Sequence, residues 1–181
     1  MISSSQSKEN GQEMTTLNNI KTLITKLDSH DGLIRQKARI ALVQIGEPAV
    51  ETLIEVLNNR KGYTHWEAAK ALSQIGSPKS TQALVEALKD DQFSIRWLAA
   101  EGLIALGHTG VRPLLEALQE NPKSVRLREG AHHTLHDLIS RGSIDNPLRE
   151  QLKMVLDALN DIEPAVAVPY AVMKVLQTLR A

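Results

Sequence analysis

Three histidines fall within five residues, at His132, His133 and His136, beside Glu129 and Asp137. His132/His136 and Glu129/His133 are i,i+4 pairs, the spacing that sets two metal ligands on one helix face. Adjacent helical residues do not share a face, so the two pairs point about 100° apart. No other segment offers a matching pair, so these side chains read as a solvated polar face and no metal site is expected. Cys is 0, which excludes thiol nucleophiles, thiolate zinc sites and disulfide frameworks. No glycine-rich phosphate loop, GxSxG elbow or HExxH motif occurs. The chain therefore carries no assignable catalytic residue, and no cofactor is expected.

Binding chemistry is better represented. Trp numbers 2 in a chain that is only 3 % aromatic, and both tryptophans occupy one register of an internal repeat. Leu23-Ile24-x-x-Leu27 recurs as Leu53-Ile54-x-x-Leu57, Leu84-Val85-x-x-Leu88 and Leu114-Leu115-x-x-Leu118. Each is followed by Ala38, Ala68, Ala99 and Ala131, then by Leu42, Leu72, Leu103 and Leu135, then by Ile45, Ile75, Leu106 and Leu138. A column of small residues, Ala41, Ala71, Gly102 and Thr134, lies between them. Apolar positions at i, i+3 and i+4 make each unit a pair of amphipathic helices, A and B.

The spacing predicts helices over about 16–27 and 33–45, 47–58 and 64–75, 79–89 and 93–106, and 111–120 and 124–140. Gly46, Gly76 and Gly107 close the first three units as helix C-caps, and Pro48 and Pro78 start the next helix A. One pair cannot bury its own apolar face, so the pairs must stack. Beyond Gly142 the pattern weakens into a helix from Pro147 to about Asn160 and a last one carrying Val172, Val175, Leu176 and Leu179. Residues 141–181 read as a divergent cap. Within it Ala165-Val166-Ala167-Val168, with Tyr170, is either cap core or a self-association surface.

The polar residues 1–15 read as a disordered lead with no signal-peptide core. Formal charge is zero, with 21 Lys+Arg against 21 Asp+Glu, which argues against a nucleic-acid partner. No apolar run reaches the ~18 residues that span a bilayer. The default expectation is a cytoplasmic protein with no membrane association.

The segment Asp91-Gln-Phe-Ser-Ile-Arg96-Trp-Leu-Ala99-Ala-Glu-Gly-Leu103-Ile-Ala-Leu106-Gly107 resembles the B-helix signature of HEAT repeats. Asp31, Ile34-Arg35, Ala38 and Ile45-Gly46 are similar, whereas His65-Trp66 replaces the arginine and the fourth unit lacks the aspartate. The resemblance covers residues 17–140 and implies an all-α, right-handed α-solenoid of about five helix pairs whose B helices line a concave face. On that face the ridge positions are Gln36, Trp66, Trp97 and Glu129, followed one turn on by Ile40, Lys70, Glu101 and His133.

Trp66 and Trp97 either anchor a partner, as exposed tryptophans do at binding hot spots, or plug the seams between units. Arg35, Arg96 and Arg128 share a register. They either form a basic stripe for an acidic segment of a partner or, the better reading, tie down turn carbonyls and aspartates. The partner-binding set is thus Trp66, Trp97, Gln36, Lys70, Arg96, Glu101, Glu129 and His133, and the expected function is a protein–protein interaction scaffold.

The repeats are also similar to those of phycocyanobilin lyase subunits, which would imply a bilin chromophore or phycobiliprotein partner, with Trp66, Trp97 and Arg96 against the tetrapyrrole. Resemblance to HEAT-like DNA glycosylases is weighed down by the neutral charge. The di-iron site of the HEAT protein deoxyhypusine hydroxylase needs His-Glu dipeptides, and none occurs here.

Overall fold

The computed structural model describes residues 4–59 and 61–179, with side chains from residue 14 onward. Among the described residues the secondary structure is entirely helical: α1 (Ser4–Lys26), α2 (Gly32–Ile45), α3 (Val50–Asn59), α4 (Gly62–Ile75), α5 (Thr81–Ala87), α6 (Phe93–Leu106), α7 (His108–Glu120), α8 (Val125–Ser140), α9 (Asn146–Leu159) and α10 (Pro164–Thr178). Short 3-10 turns at Glu47–Ala49 and Pro78–Ser80 lead into α3 and α5. This is the helix-pair order of a HEAT-like α-solenoid, with α2, α4, α6 and α8 as the B helices.

Two compact units divide the chain, Met1–Ile75 and Gly76–Ala181. Within the second unit α9 packs on α8, and α10 on α7 and α9. In the first unit the core is built from Ile20, Leu27, Leu42, Leu53, Ala68 and Leu72, all buried. In the second it runs from Leu84 and Leu88 through Leu103, Leu114, Leu118 and Leu135 to Leu152 and Val172. Most repeat-column residues are thus core positions, although Ile24, Ala41 and Ile54 are half-buried. Ile45, Ile75 and Leu106 are only half-buried, since each sits in the last turn of its B helix.

The N-terminal segment differs from expectation. Helix α1 starts at Ser4 and continues unbroken for 23 residues, so the backbone of residues 4–15 is helical; residues 1–3 of the expected lead lie outside the described residues. The stretch contains no proline, and its Gln, Glu, Lys and Met residues offset the weak helix formers Gly11, Asn10 and Ser in extending the turn that Ile20 and Leu23 anchor.

Helix stops follow the sequence closely. Gly46, Gly76 and Gly107 have φ of 71°, 64° and 59°, and Gly107 pairs its φ with ψ −129°, a region essentially reserved for glycine. No atom lies within 4 Å of a Cβ built on Gly107, so Gly107→Ala introduces backbone strain without a clash. A loss of about 1–3 kcal/mol is expected, read as a lowered urea midpoint with an unchanged m-value. In the last helix, Val168 is buried whereas Val166 and Tyr170 are exposed, so the 165–168 run serves the cap core through one residue of its four.

Candidate functional site

The arginine register resolves into a repeated backbone clamp. Arg35 Nη1 donates to the carbonyl of Ser29 at 2.7 Å, Arg96 Nη1 to that of Asp90 at 3.0 Å, and Arg128 Nη1 to that of Pro122 at 2.5 Å. Each reaches back six residues, from the first turn of a B helix to the loop before it. Those loop carbonyls have no helical partner, and a cation satisfies them at the cost of no carboxylate. Arg149 repeats the device at the start of α9, donating from Nη2 to the carbonyl of Ile144 at 3.0 Å. This fourth clamp lies beyond the recognisable repeats and was not anticipated, although an arginine in the first turn after a loop was the available signal.

In the first unit a carboxylate is buried beside the ridge residue Trp66. Glu67, only 5 % exposed, accepts from Arg39 Nε at 2.9 Å and faces Arg35 Nε at 3.6 Å. Arg39 Nη1 also donates to Gln74 Oε1, and the Arg35 guanidinium covers the Tyr63 ring at 3.9 Å. These contacts tie α2 to α4 through charge. Of the expected binding residues in this unit, Gln36 and Trp66 are exposed and Lys70 is half-buried. Trp66 is 36 % exposed, so its ring is neither free in solvent nor sealed in a seam.

In the second unit α6 and α8 lie side by side, and four expected residues meet there. Trp97 stacks on His133, ring centroids 4.6 Å apart at 24°. His133 Nε2 lies 3.6 Å from Glu101 Oε1, too long for a hydrogen bond. Phe93 lies 6.3 Å from Trp97 by ring centroids, and the Arg96 guanidinium sits 5.5 Å from the Phe93 ring centre.

Together Phe93, Arg96, Trp97, Ala100, Glu129, Gly130 and His133 line a half-open groove of about 200 Å³. Trp97 is 46 % and Phe93 68 % exposed, an unusual display of aromatic area for a chain so poor in it. Phe93 was missed by sequence reasoning, although its i,i+4 spacing to Trp97 was legible.

Small residues make the groove possible. A Cβ on Gly130 would lie 2.8 Å from Leu88 Cδ2 and 3.3 Å from Leu88 Cβ, so glycine lets α8 close onto the end of α5. Arg96 is a clamp first and a groove residue second, because its Nη1 is committed to the carbonyls of Asp90 and Asp91.

The remaining histidines stand apart. His132 and His136 stack with ring centroids 6.2 Å apart, away from the Trp97–His133 stack, as the 100° argument required. Desolvation acts to raise the Asp137 carboxyl, but the Arg141 guanidinium, bonded at 2.7 Å, with smaller contributions from His133 and His136, holds it below its ordinary value. Among the described residues no group of three or more His, Cys, Asp or Glu is placed to hold a metal ion, and no helix is long and apolar enough to cross a membrane.

Comparison with known proteins bears on this geometry. The family model for HEAT repeats matches residues 20–104. None of the curated proteins matches the sequence. Among solved structures, a chain from the complex of CpcE and CpcF of phycocyanin lyase from Nostoc sp. PCC7120 has a similar fold, with a TM-score of 0.55. The two are 23 % identical, over 88 % of this chain and 99 % of that one, a likeness of architecture.

Proposed function

We propose that the chain, whose residues 20–104 match the family model for HEAT repeats, is a protein-binding repeat scaffold that engages its partner on the face of its B helices. The observation that carries the reading is the aromatic groove of α6 and α8. Its volume of about 200 Å³ is below the roughly 300–1,000 Å³ typical of small-molecule pockets. It suits one side chain of a partner, with Trp97 and Phe93 as the anchors; in the first unit, Gln36, Trp66 and Lys70 are read as contacts of their own. No protein acceptor reaches the Trp97 indole N–H among the described residues, which leaves a donor for the partner as well as a ring face.

Trp97→Ala is expected to weaken partner capture about 30-fold, the loss of a hot-spot tryptophan, while circular dichroism stays that of the parent. Trp66→Ala, on a less exposed ring, is expected to cost less. A folded Trp66→Ala/Trp97→Ala protein that retains every partner of the parent at full affinity would refute the reading.

The fold shared with a chain of the phycocyanin lyase complex favours a second reading, a lyase-like subunit acting on a bilin chromophore or a phycobiliprotein. In that case Trp97 and Arg96 would meet one pyrrole ring and its propionate at the groove, with the rest of the tetrapyrrole outside it. Mixing the purified protein with phycocyanobilin separates the two. A shifted, Trp97-dependent visible band supports the lyase-like reading, and an unchanged bilin spectrum leaves the scaffold.

A further inference from the structure

The groove has a charge preference that the sequence count concealed. Resting on the scaffold reading, we infer that the α6–α8 groove takes an arginine side chain from a basic segment of the partner. The hydrogen-bond donors of the arginines around the groove are already engaged, although Arg96, which lines it, keeps its positive charge. Arg96 and Arg128 are tied to loop carbonyls, and Arg126 pairs with Asp91. What remains without a donor is negative. Glu129, exposed on the rim, has no ion pair or hydrogen bond among the described residues, and Glu101 faces only His133 Nε2, beyond hydrogen-bond range.

Two aromatic rings and an unpartnered carboxylate around a cleft the size of one side chain are the complement of a guanidinium. The planar cation stacks on Trp97 while its paired N–H groups meet the Glu129 carboxylate side-on. Lysine offers a point charge in place of that fork, and an acidic side chain would meet like charge. Arg96 and Arg128, for which a basic stripe drawing an acidic segment was one reading, are tied to loop carbonyls instead.

The test follows the Trp97 indole N–H by NMR in the Trp66→Phe protein, which leaves one tryptophan to observe. The titrants are capped Gly-Arg-Gly, its citrulline counterpart and Gly-Glu-Gly at constant ionic strength. The arginine peptide is expected to give a saturable shift with a dissociation constant on the order of millimolar. The citrulline peptide should bind about tenfold more weakly, since it keeps the shape and loses the charge. Glu129→Gln, a change on an exposed rim, should weaken the arginine peptide about fivefold.

Equal response to arginine and citrulline, an equal response to the glutamate peptide, no loss in Glu129→Gln, or no shift at all would each overturn the inference. A Trp97-dependent partner with no arginine response would leave the scaffold reading standing alone. An arginine-specific shift without any Trp97-dependent partner would do the reverse.

Discussion

Glu67→Ala is expected to destabilise the protein by about 3–5 kcal/mol, the usual consequence of removing one member of a buried ion pair. The Glu67 side chain is 7 % exposed and those of Arg39 and Arg35 12 % and 15 %, so solvent can do little to replace the lost carboxylate. Two guanidinium groups of α2 would be left against α4 without a counter-ion. The attraction of the intact network is less than this figure, because desolvation of all three groups offsets most of it.

A second variant separates the two quantities. Glu67→Met with Arg39→Leu removes the close pair together and replaces it by apolar volume, and it should cost far less than Glu67→Ala alone. Urea unfolding of the three proteins reads the difference as a shift in midpoint. If Glu67→Ala falls within 1 kcal/mol of the parent, the network is hydrated and the structural reading of it is wrong.

Leu88→Ala and Gly130→Ala are expected to be strongly coupled, with the glycine substitution changing sign between backgrounds. Leu88 is fully buried, and truncating it should cost about 3 kcal/mol in transfer and cavity terms. Gly130→Ala in the parent gains about 1 kcal/mol of helix propensity. It loses about 1–3 kcal/mol because the new methyl lies 2.8 Å from Leu88 Cδ2 and 3.3 Å from its Cγ. The net effect in the parent is destabilising.

With Leu88 cut back to alanine the obstruction disappears, the methyl fills part of the cavity, and the same substitution stabilises. The double-mutant cycle should therefore give a favourable coupling above 1 kcal/mol. Additive effects would mean that α8 does not rest on Leu88, and the floor of the aromatic groove would need another explanation.

The legible and illegible parts of this protein divide by the range of the interactions involved. The helices were readable because each is specified by residues within a few positions of one another. Leu98-Ala99 and Leu103 mark the buried stripe of α6, which runs from Phe93 to Leu106 as expected, and Gly107 stops it through its own backbone conformation. The arginine clamp was readable for the same reason, since donor and acceptor are only six residues apart. Helix α1 was the local failure, extending to Ser4 through residues whose polarity suggested disorder but whose propensity permits a helix.

What resisted sequence reasoning was the fate of each polar side chain. Glu67 and Glu129 are both glutamates on B helices, on or beside the same ridge, yet one is buried between two arginines and the other stands at an open rim. The difference comes from Arg39, 28 residues before Glu67, which only the packing of α2 on α4 brings within reach. Trp97 and His133 were named in advance as separate positions; that they stack, with Phe93 beside them, depends on the approach of α8 to α6 and on Leu88 beneath Gly130.

Taken alone, the sequence determines a stack of helix pairs, because a repeating apolar stripe admits no other economical burial and the glycine stops set its period. Tertiary structure decides which charges are buried, which arginines are already committed, and where an aromatic groove opens, because those outcomes depend on side chains brought together by neighbouring helices and not by neighbouring positions in the chain.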